Sequence, residues 1–188
     1  MKPKIKIIYS MYYFKEVIEP MLEFTQKNKN FNFDTYPVAG SFEIPFEIAR
    51  SLKEDTISNE SKIGSFKGKG KEEIRDNIVQ IAKLSQLNLN KEPIYSAYLA
   101  LGCIIKGKTI NHHAISTAIF TNLQRISIEN LVPIGNGIFN ANSIEEALKK
   151  NIKCTKQAIS ALVDVPYSLL KTPKWKKKIK AQDLGLGY

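Results

Sequence analysis

The sequence is poor in the residues that would settle its class quickly. Only two of its 188 residues are cysteine, Cys103 and Cys154, too few for a disulfide framework or a cysteine zinc site. No apolar run approaches the roughly 18 residues that a membrane span requires. The start, Met1-Lys2-Pro3-Lys4, passes into the strand-like stretch Ile5 to Ser10 without the apolar core and cleavage site of a secretory leader, so a cytoplasmic protein is expected. Histidine occurs twice, as the adjacent pair His112 and His113. Arginine is scarce: Arg50, Arg75 and Arg125 are three of 28 basic residues. Nucleic-acid readers favour arginine, whose planar fork grips phosphates and base edges at two points. The net charge of +10, carried by lysine, is therefore a weak argument for a polynucleotide partner.

What remains is globular. Hydrophobic residues make up 43% and charged residues 24%, near the globular average, which excludes wholesale disorder. A chain of this length usually forms one domain and buries roughly 70% of its extended surface. The lysine surplus is concentrated in two places. Lys62, Lys67, Lys69 and Lys71 lie in a Gly/Ser-rich stretch, and Lys171, Lys174, Lys176, Lys177, Lys178 and Lys180 surround Trp175 near the C-terminus. The second cluster reads as a solvated extension, with an RNA or anionic-surface contact as the other reading.

Along the chain, hydrophobic spacing predicts alternating strands and helices. Residues 4–10, 33–38, 94–105 and 133–139 read as strands, and residues 15–27, 42–53, 113–130 and 144–163 as helices. The stretch Ile94-Tyr95-Ser96-Ala97-Tyr98-Leu99-Ala100-Leu101-Gly102-Cys103 is nearly all apolar, as a parallel strand covered on both faces should be. Residues 54–93 read as an insertion, a loose loop followed by a helix with Ile74, Ile78, Ile81 and Leu84 on one stripe. The remainder, 1–165, forms one α/β domain with a parallel sheet, and 166–188 a basic extension.

Ligands of open α/β sheets bind at the carboxyl ends of the strands, so the segments that follow the strands carry the candidates. Tyr12 and Tyr13 offer aromatic faces to a planar heterocycle, or serve packing. Gly40-Ser41-Phe42-Glu43-Ile44-Pro45 opens a helix whose free N–H groups and Ser41 hydroxyl suit a polyol or anion; Glu43 either joins them or answers the helix dipole. Gly107-Lys108-Thr109 places a glycine, a cation and a hydroxyl at a helix entrance, a pattern that can cradle phosphate. His112 and His113 in the same loop can move protons near neutral pH. Lys150, on the last helix, can add a second cation.

These motifs, in this order, resemble the lumazine synthase family. The resemblance covers residues 4–53 and 94 to about 163. Gly40 to Pro45 is similar to the family's G-[AS]-F-E-[IL]-P, and Ala100 to Thr109 to its A-L-G-[CT]-V-I-[RK]-G-x-T. Val132-Pro133-Ile134, Asn136-Gly137-Ile138 and Ser143 to Ala147 follow in register. The resemblance implies a three-layer, flavodoxin-like sandwich with four parallel strands. It also implies condensation of 5-amino-6-(D-ribitylamino)uracil with 3,4-dihydroxy-2-butanone 4-phosphate, with neither metal nor organic cofactor, in a homopentamer or a multiple of it whose sites are shared between subunits. By the same resemblance Tyr12 stacks on the pyrimidine, and Ser41, Phe42 and Glu43 hold the ribityl chain. Cys103, Ile104 and Ile105 meet the pyrimidine through backbone groups, which Asn136 also lines, while Lys108, Thr109 and Lys150 bind the phosphate.

Two departures stand out. The family's G-x-T-x-H-[FY]-[DE] reads Gly107-Lys108-Thr109-Ile110-Asn111-His112-His113 here, so Asn111 stands where the general acid/base histidine belongs. Asn cannot exchange a proton near neutral pH, and His112, ahead of His113, is the candidate to take over. Lys150 replaces the family's phosphate-binding arginine, keeping the charge and losing the two-pronged contact. The alternatives are a catalytically degenerate assembly subunit of the same fold, or a basic RNA-binding protein.

Overall fold

The computed structural model describes residues 2–60, 94–107 and 110–163, with the side chains of 55–60 set aside. Four parallel strands, β1 (Lys4–Ser10), β2 (Asn32–Val38), β3 (Ala97–Ile105) and β4 (Ile134–Ala141), form one sheet in the order β2-β1-β3-β4. The helices are α1 (Glu19–Gln26), α2 (Ile44–Glu60), α3 (Asn111–Asn130) and α4 (Ile144–Val163). The sequence reading of a parallel α/β sheet with helices on both faces holds.

Side-chain alternation in β3 explains the three layers. Ala97, Leu99, Leu101 and Cys103 point into a core shared with Val17, Ile18, Met21 and Leu22 around α1, and with Ala147, Ala158, Ile159 and Leu162 of α4. Tyr98, Ala100 and Ile104 point the other way, toward Ile44 and Ile48 of α2 and Ile119, Leu123 and Ile126 of α3. A strand buried on both faces has no polar side to present, hence its unbroken apolar run. On β4, a methyl at Gly135 would stand 2.7 Å from the Ala158 carbonyl oxygen, so glycine there lets α4 lie close on the sheet.

Some boundaries differ from the sequence reading, each for a local reason. The first helix opens with a π turn, Phe14–Ile18, because the Tyr13 carbonyl accepts from both Val17 N–H (2.9 Å) and Ile18 N–H (3.3 Å). α2 continues to Glu60, past the break read at residue 54. α3 starts at Asn111, two residues early, with His113 N–H donating to the Ile110 carbonyl at 3.0 Å. The remaining 61–93, including the stripe from Ile74 to Leu84, and the lysine-rich tail lie outside the described residues.

A buried ion network fixes α2 to β1. Glu47 is 5% exposed and receives Arg50 Nε at 2.8 Å and Nη2 at 2.7 Å. Lys6 Nζ stands 3.6 Å from the same carboxylate, donates to Ser51 Oγ at 2.7 Å, and lies 4.9 Å from the centre of the Tyr36 ring. Sequence pattern alone does not reveal this network, because Lys6 occupies what reads as an ordinary polar position in a strand.

Candidate active site

The carboxyl edge of the sheet gathers most of the predicted residues. Ser10, the last residue of β1, is buried, and its Oγ accepts Tyr12 N–H at 3.1 Å. This serine turn leads into Tyr13, whose backbone is left-handed (φ 55°), a conformation an aromatic residue adopts only under constraint. The Tyr12 ring is left 66% exposed, facing the connection that follows β2. There, a methyl on Gly40 would stand 3.2 Å from the Tyr12 ring and 3.0 Å from Glu43 Oε2. The ring and the carboxylate therefore flank one glycine, and the absence of a Cβ admits both.

Glu43 closes the turn Ser41–Glu43 at the start of α2 by accepting Gly40 N–H at 2.8 Å. It is exposed, so its second oxygen faces solvent at the site. Ser41 is buried, and its Oγ donates to the Cys103 carbonyl at 3.4 Å. A methyl on Gly102 would lie 2.5 Å from that Oγ. Ser41 therefore pins the post-β2 turn to the end of β3, and glycine at 102 is what makes room for it. Phe42 projects outward beside it.

β3 outruns β1. The last β1 pairing is Tyr9 with Leu101, whereas pairing with β4 continues to Ile105 opposite Ala141. Lys106 N–H donates to the Ala141 carbonyl, so even-numbered residues here face β4. By alternation, Cys103 and Ile105 turn their backbone groups the other way, past the end of β1. This is a strip of peptide edge beside Tyr12 and Ser41, with Ile104 between them. The Cys103 thiol itself points into the α4 core. Burial, reinforced by the nearby Cys154, pushes it up to about 12, against the pull of the Lys150 charge. It stays protonated and is no nucleophile, and what Cys103 presents at this edge is its backbone.

Lys150 is half-exposed and paired with Glu146. That carboxyl is held down near 2 by Lys150 first, then by the backbone and side-chain N–H groups of Asn142. Glu146 also donates its own N–H to Ser143 Oγ at 3.3 Å, so Ser143 caps the start of α4. An anion approaching Lys150 competes with Glu146.

Asn111 and His112 fall in the first turn of α3, with His112 half-buried and its ring 4.1 Å from that of His113, centre to centre. Lys108 and Thr109 lie outside the described residues. Asn136 is not brought together with this group: it pairs in register with Ala100, mid-strand, and its Oδ1 accepts Ile138 N–H at 3.0 Å on the outer edge of β4. Sequence reasoning missed Ser10, Gly102 and Asn140. A serine closing a strand two residues before an aromatic is a readable turn signal; nothing in the sequence marks Asn140. Among the described residues no group of three or more His, Cys, Asp or Glu side chains could hold a metal ion, and no helix is long and apolar enough to cross a membrane.

A sequence model of the family described as 6,7-dimethyl-8-ribityllumazine synthase matches residues 73–166, half of the chain. The chain belongs to this family. The match takes in β3, α3, β4 and α4 and begins inside the stretch read as an insertion; Tyr12 and Gly40 to Pro45 precede it. Curated relatives include the 6,7-dimethyl-8-ribityllumazine synthase of Buchnera aphidicola subsp. Baizongia pistaciae, 45% identical over 62 residues, which are 33% of this chain and 39% of the relative. That of Blochmanniella pennsylvanica is 33% identical over 72 residues, 38% and 46% of the two chains. That of Corynebacterium kroppenstedtii is 36% identical over 56 residues, 30% and 35%. The chain thus spans less than half the length of each of these relatives.

Proposed function

We infer that this family member is a lumazine synthase. It condenses 5-amino-6-(D-ribitylamino)uracil with 3,4-dihydroxy-2-butanone 4-phosphate, releasing phosphate and water, as a step of riboflavin biosynthesis in the cytoplasm. The observation that carries this reading is the convergence at one sheet edge of the Tyr12 ring, the Gly40–Glu43 turn and the peptide strip at Cys103 to Ile105. A pyrimidine needs a flat apolar face and a row of donors and acceptors; a ribityl chain needs polar groups at a helix entrance. In this reading Ser41, Phe42 and Glu43 line the ribityl end, with the Ser41 hydroxyl setting the turn. Lys150 takes the phosphate with Lys108 and Thr109. The amine attacks the ketone carbonyl, water and phosphate leave, and proton transfers accompany each step; both substrates bring their own reactive groups, so no cofactor is called for. Holding two reactants in register supplies much of the acceleration. His112 carries the proton in place of Asn111.

The assembly is a homopentamer or a multiple of it. Supporting this is an apolar groove of about 650 Å³ between α2 and α3, lined by Phe42, Pro45, Phe46, Leu52, Ile119 and Ile126 among others. Phe42 and Phe46 are 59% and 71% exposed there, and contiguous exposed apolar surface marks an interaction site. In such an assembly Asn136, on the open edge of β4, serves the site of a neighbouring subunit. One observation favours a second reading: Asn111 at the family's histidine position fits a subunit that assembles without turnover. Mixing both substrates with the protein separates the two. The lumazine chromophore should appear, and His112→Ala should slow it more than His113→Ala. Intact oligomers without chromophore would establish the assembly subunit instead.

A further inference from the structure

Asn140 lies at the carboxyl end of β4, opposite Ile104 in register, and its contacts are out of proportion to its place on an edge strand. Its Nδ2 donates to Ser116 Oγ at 3.1 Å. Ser116, buried in α3, donates in turn to the His113 carbonyl at 3.0 Å. A serine bonding back three residues is a local habit of helices; a second bond arriving from another element is not. Because Ser116 has one proton and gives it to His113, the group facing it must be a donor. That fixes which way the Asn140 amide points.

The consequence is that Asn140 Oδ1 is buried with no hydrogen-bond partner among the described residues. An apolar side chain of similar size would carry no such penalty, so packing does not account for an asparagine here. The Ser116 bond does. The next residue, Ala141, accepts Lys106 N–H at 2.8 Å. Two consecutive residues of β4 thereby anchor both ends of the connection from β3 to α3, one at Lys106 and the other, through Ser116, at the turn that bears Asn111, His112 and His113.

We propose that Asn140 is a positioning residue: acting through Ser116 and the His113 carbonyl, it sets the first turn of α3 and the arrangement of the two imidazoles. Its effect on turnover rests on the lumazine synthase reading; its effect on the imidazoles does not. His112 and His113 are the only histidines in the chain, so labelled-histidine NMR reads both without ambiguity, and rings 4.1 Å apart shift each other strongly. Asn140→Leu removes the donor, and Asn140→Asp keeps the shape while replacing the donor with an acceptor, which guards against a variant that does not fold. Both should move the imidazole resonances. Asn122→Ala, which deletes a bond from α3 to its own Ala118 carbonyl, should not. With both substrates, Asn140→Asp should lower kcat about fivefold or more and leave each KM within about twofold, a loss of roughly 1 kcal/mol or more of transition-state stabilisation. Ser116→Ala should reproduce the shifts, and adding Asn140→Leu to it should change nothing further. Wild-type resonances in Asn140→Asp, or independent and additive effects of the Asn140 and Ser116 changes, would overturn the proposal. If the wild-type protein makes no lumazine, the functional reading fails and the imidazole arm still decides this one.

Discussion

The face of α2 turned to β1 and the rim at its N-terminus use the same residue types to opposite ends. Under α2, Glu47, Lys6 and Ser51 are bonded to one another and largely withdrawn from water, and the partly exposed Arg50 divides its guanidinium between Glu47 and Glu54. At the rim, one helical turn earlier, Glu43 gives one oxygen to Gly40 and keeps the other outward, and Tyr12 and Phe42 stand in solvent. Charge that closes on itself holds a helix in place; charge and aromatic surface left open await something else. The difference separates residues closed within the fold from those left open at the rim, where charge counts alone cannot.

The largest effect is expected at Glu47. Glu47→Ala leaves the mostly buried Lys6 without its carboxylate, while Arg50 keeps Glu54, and should cost about 3 kcal/mol, read as a lower denaturant midpoint. Glu43→Ala should cost no more than about 1 kcal/mol and appear mainly as weaker substrate binding; equal losses from the two would erase the distinction drawn here. Next in size is Gly102→Ala, whose methyl would strike Ser41 Oγ. It should destabilise by about 1–3 kcal/mol and abolish lumazine formation together, since the same contact joins the post-β2 turn to β3. A smaller effect in the other direction is expected at Leu131, which ends α3 with a left-handed backbone (φ 51°) and is widely exposed. Leu131→Gly should stabilise by up to about 1 kcal/mol without altering turnover.

The smallest effect is in acid. Glu146 has its carboxyl lowered from 4.5 to about 2 by Lys150 and Asn142. A lowered native value means the ionised form stabilises the fold, fully above pH 4.5 and progressively less as pH falls toward 2. Asp34, lowered by hydrogen bonds from Lys4 and then Tyr95, acts in the same direction. Glu146→Gln should flatten the acid limb of the stability profile slightly, and nothing should change at neutral pH.

The layered sheet was legible because β3 must be apolar on both faces, and the candidate segments were chosen because ligands meet such sheets at one edge. Gly40 to Pro45 and Cys103 to Ile105 do meet at that edge, yet the pattern could not say that Ser41 is spent on the Cys103 carbonyl. Nor could it show that Asn136 lies on the outer edge of β4 among the described strands. Those facts depend on register and on which side chain lies under which turn. α2 running to Glu60 was hidden because Ser, Asn and Thr late in a helix look like loop. The left-handed Tyr13 and the Asn140 tie are tertiary outcomes without a local signature.

In the proposed function the pyrimidine lies at the edge formed by Tyr12, the Gly40–Glu43 turn and the Cys103–Ile105 strip. Calorimetric titration of 5-amino-6-(D-ribitylamino)uracil into wild-type protein and Tyr12→Ala tests it most directly. Stacking of a base on an aromatic side chain contributes about 1–3 kcal/mol, so the wild type should bind and the variant should lose about tenfold or more in affinity. Equal affinity in the two proteins would contradict it.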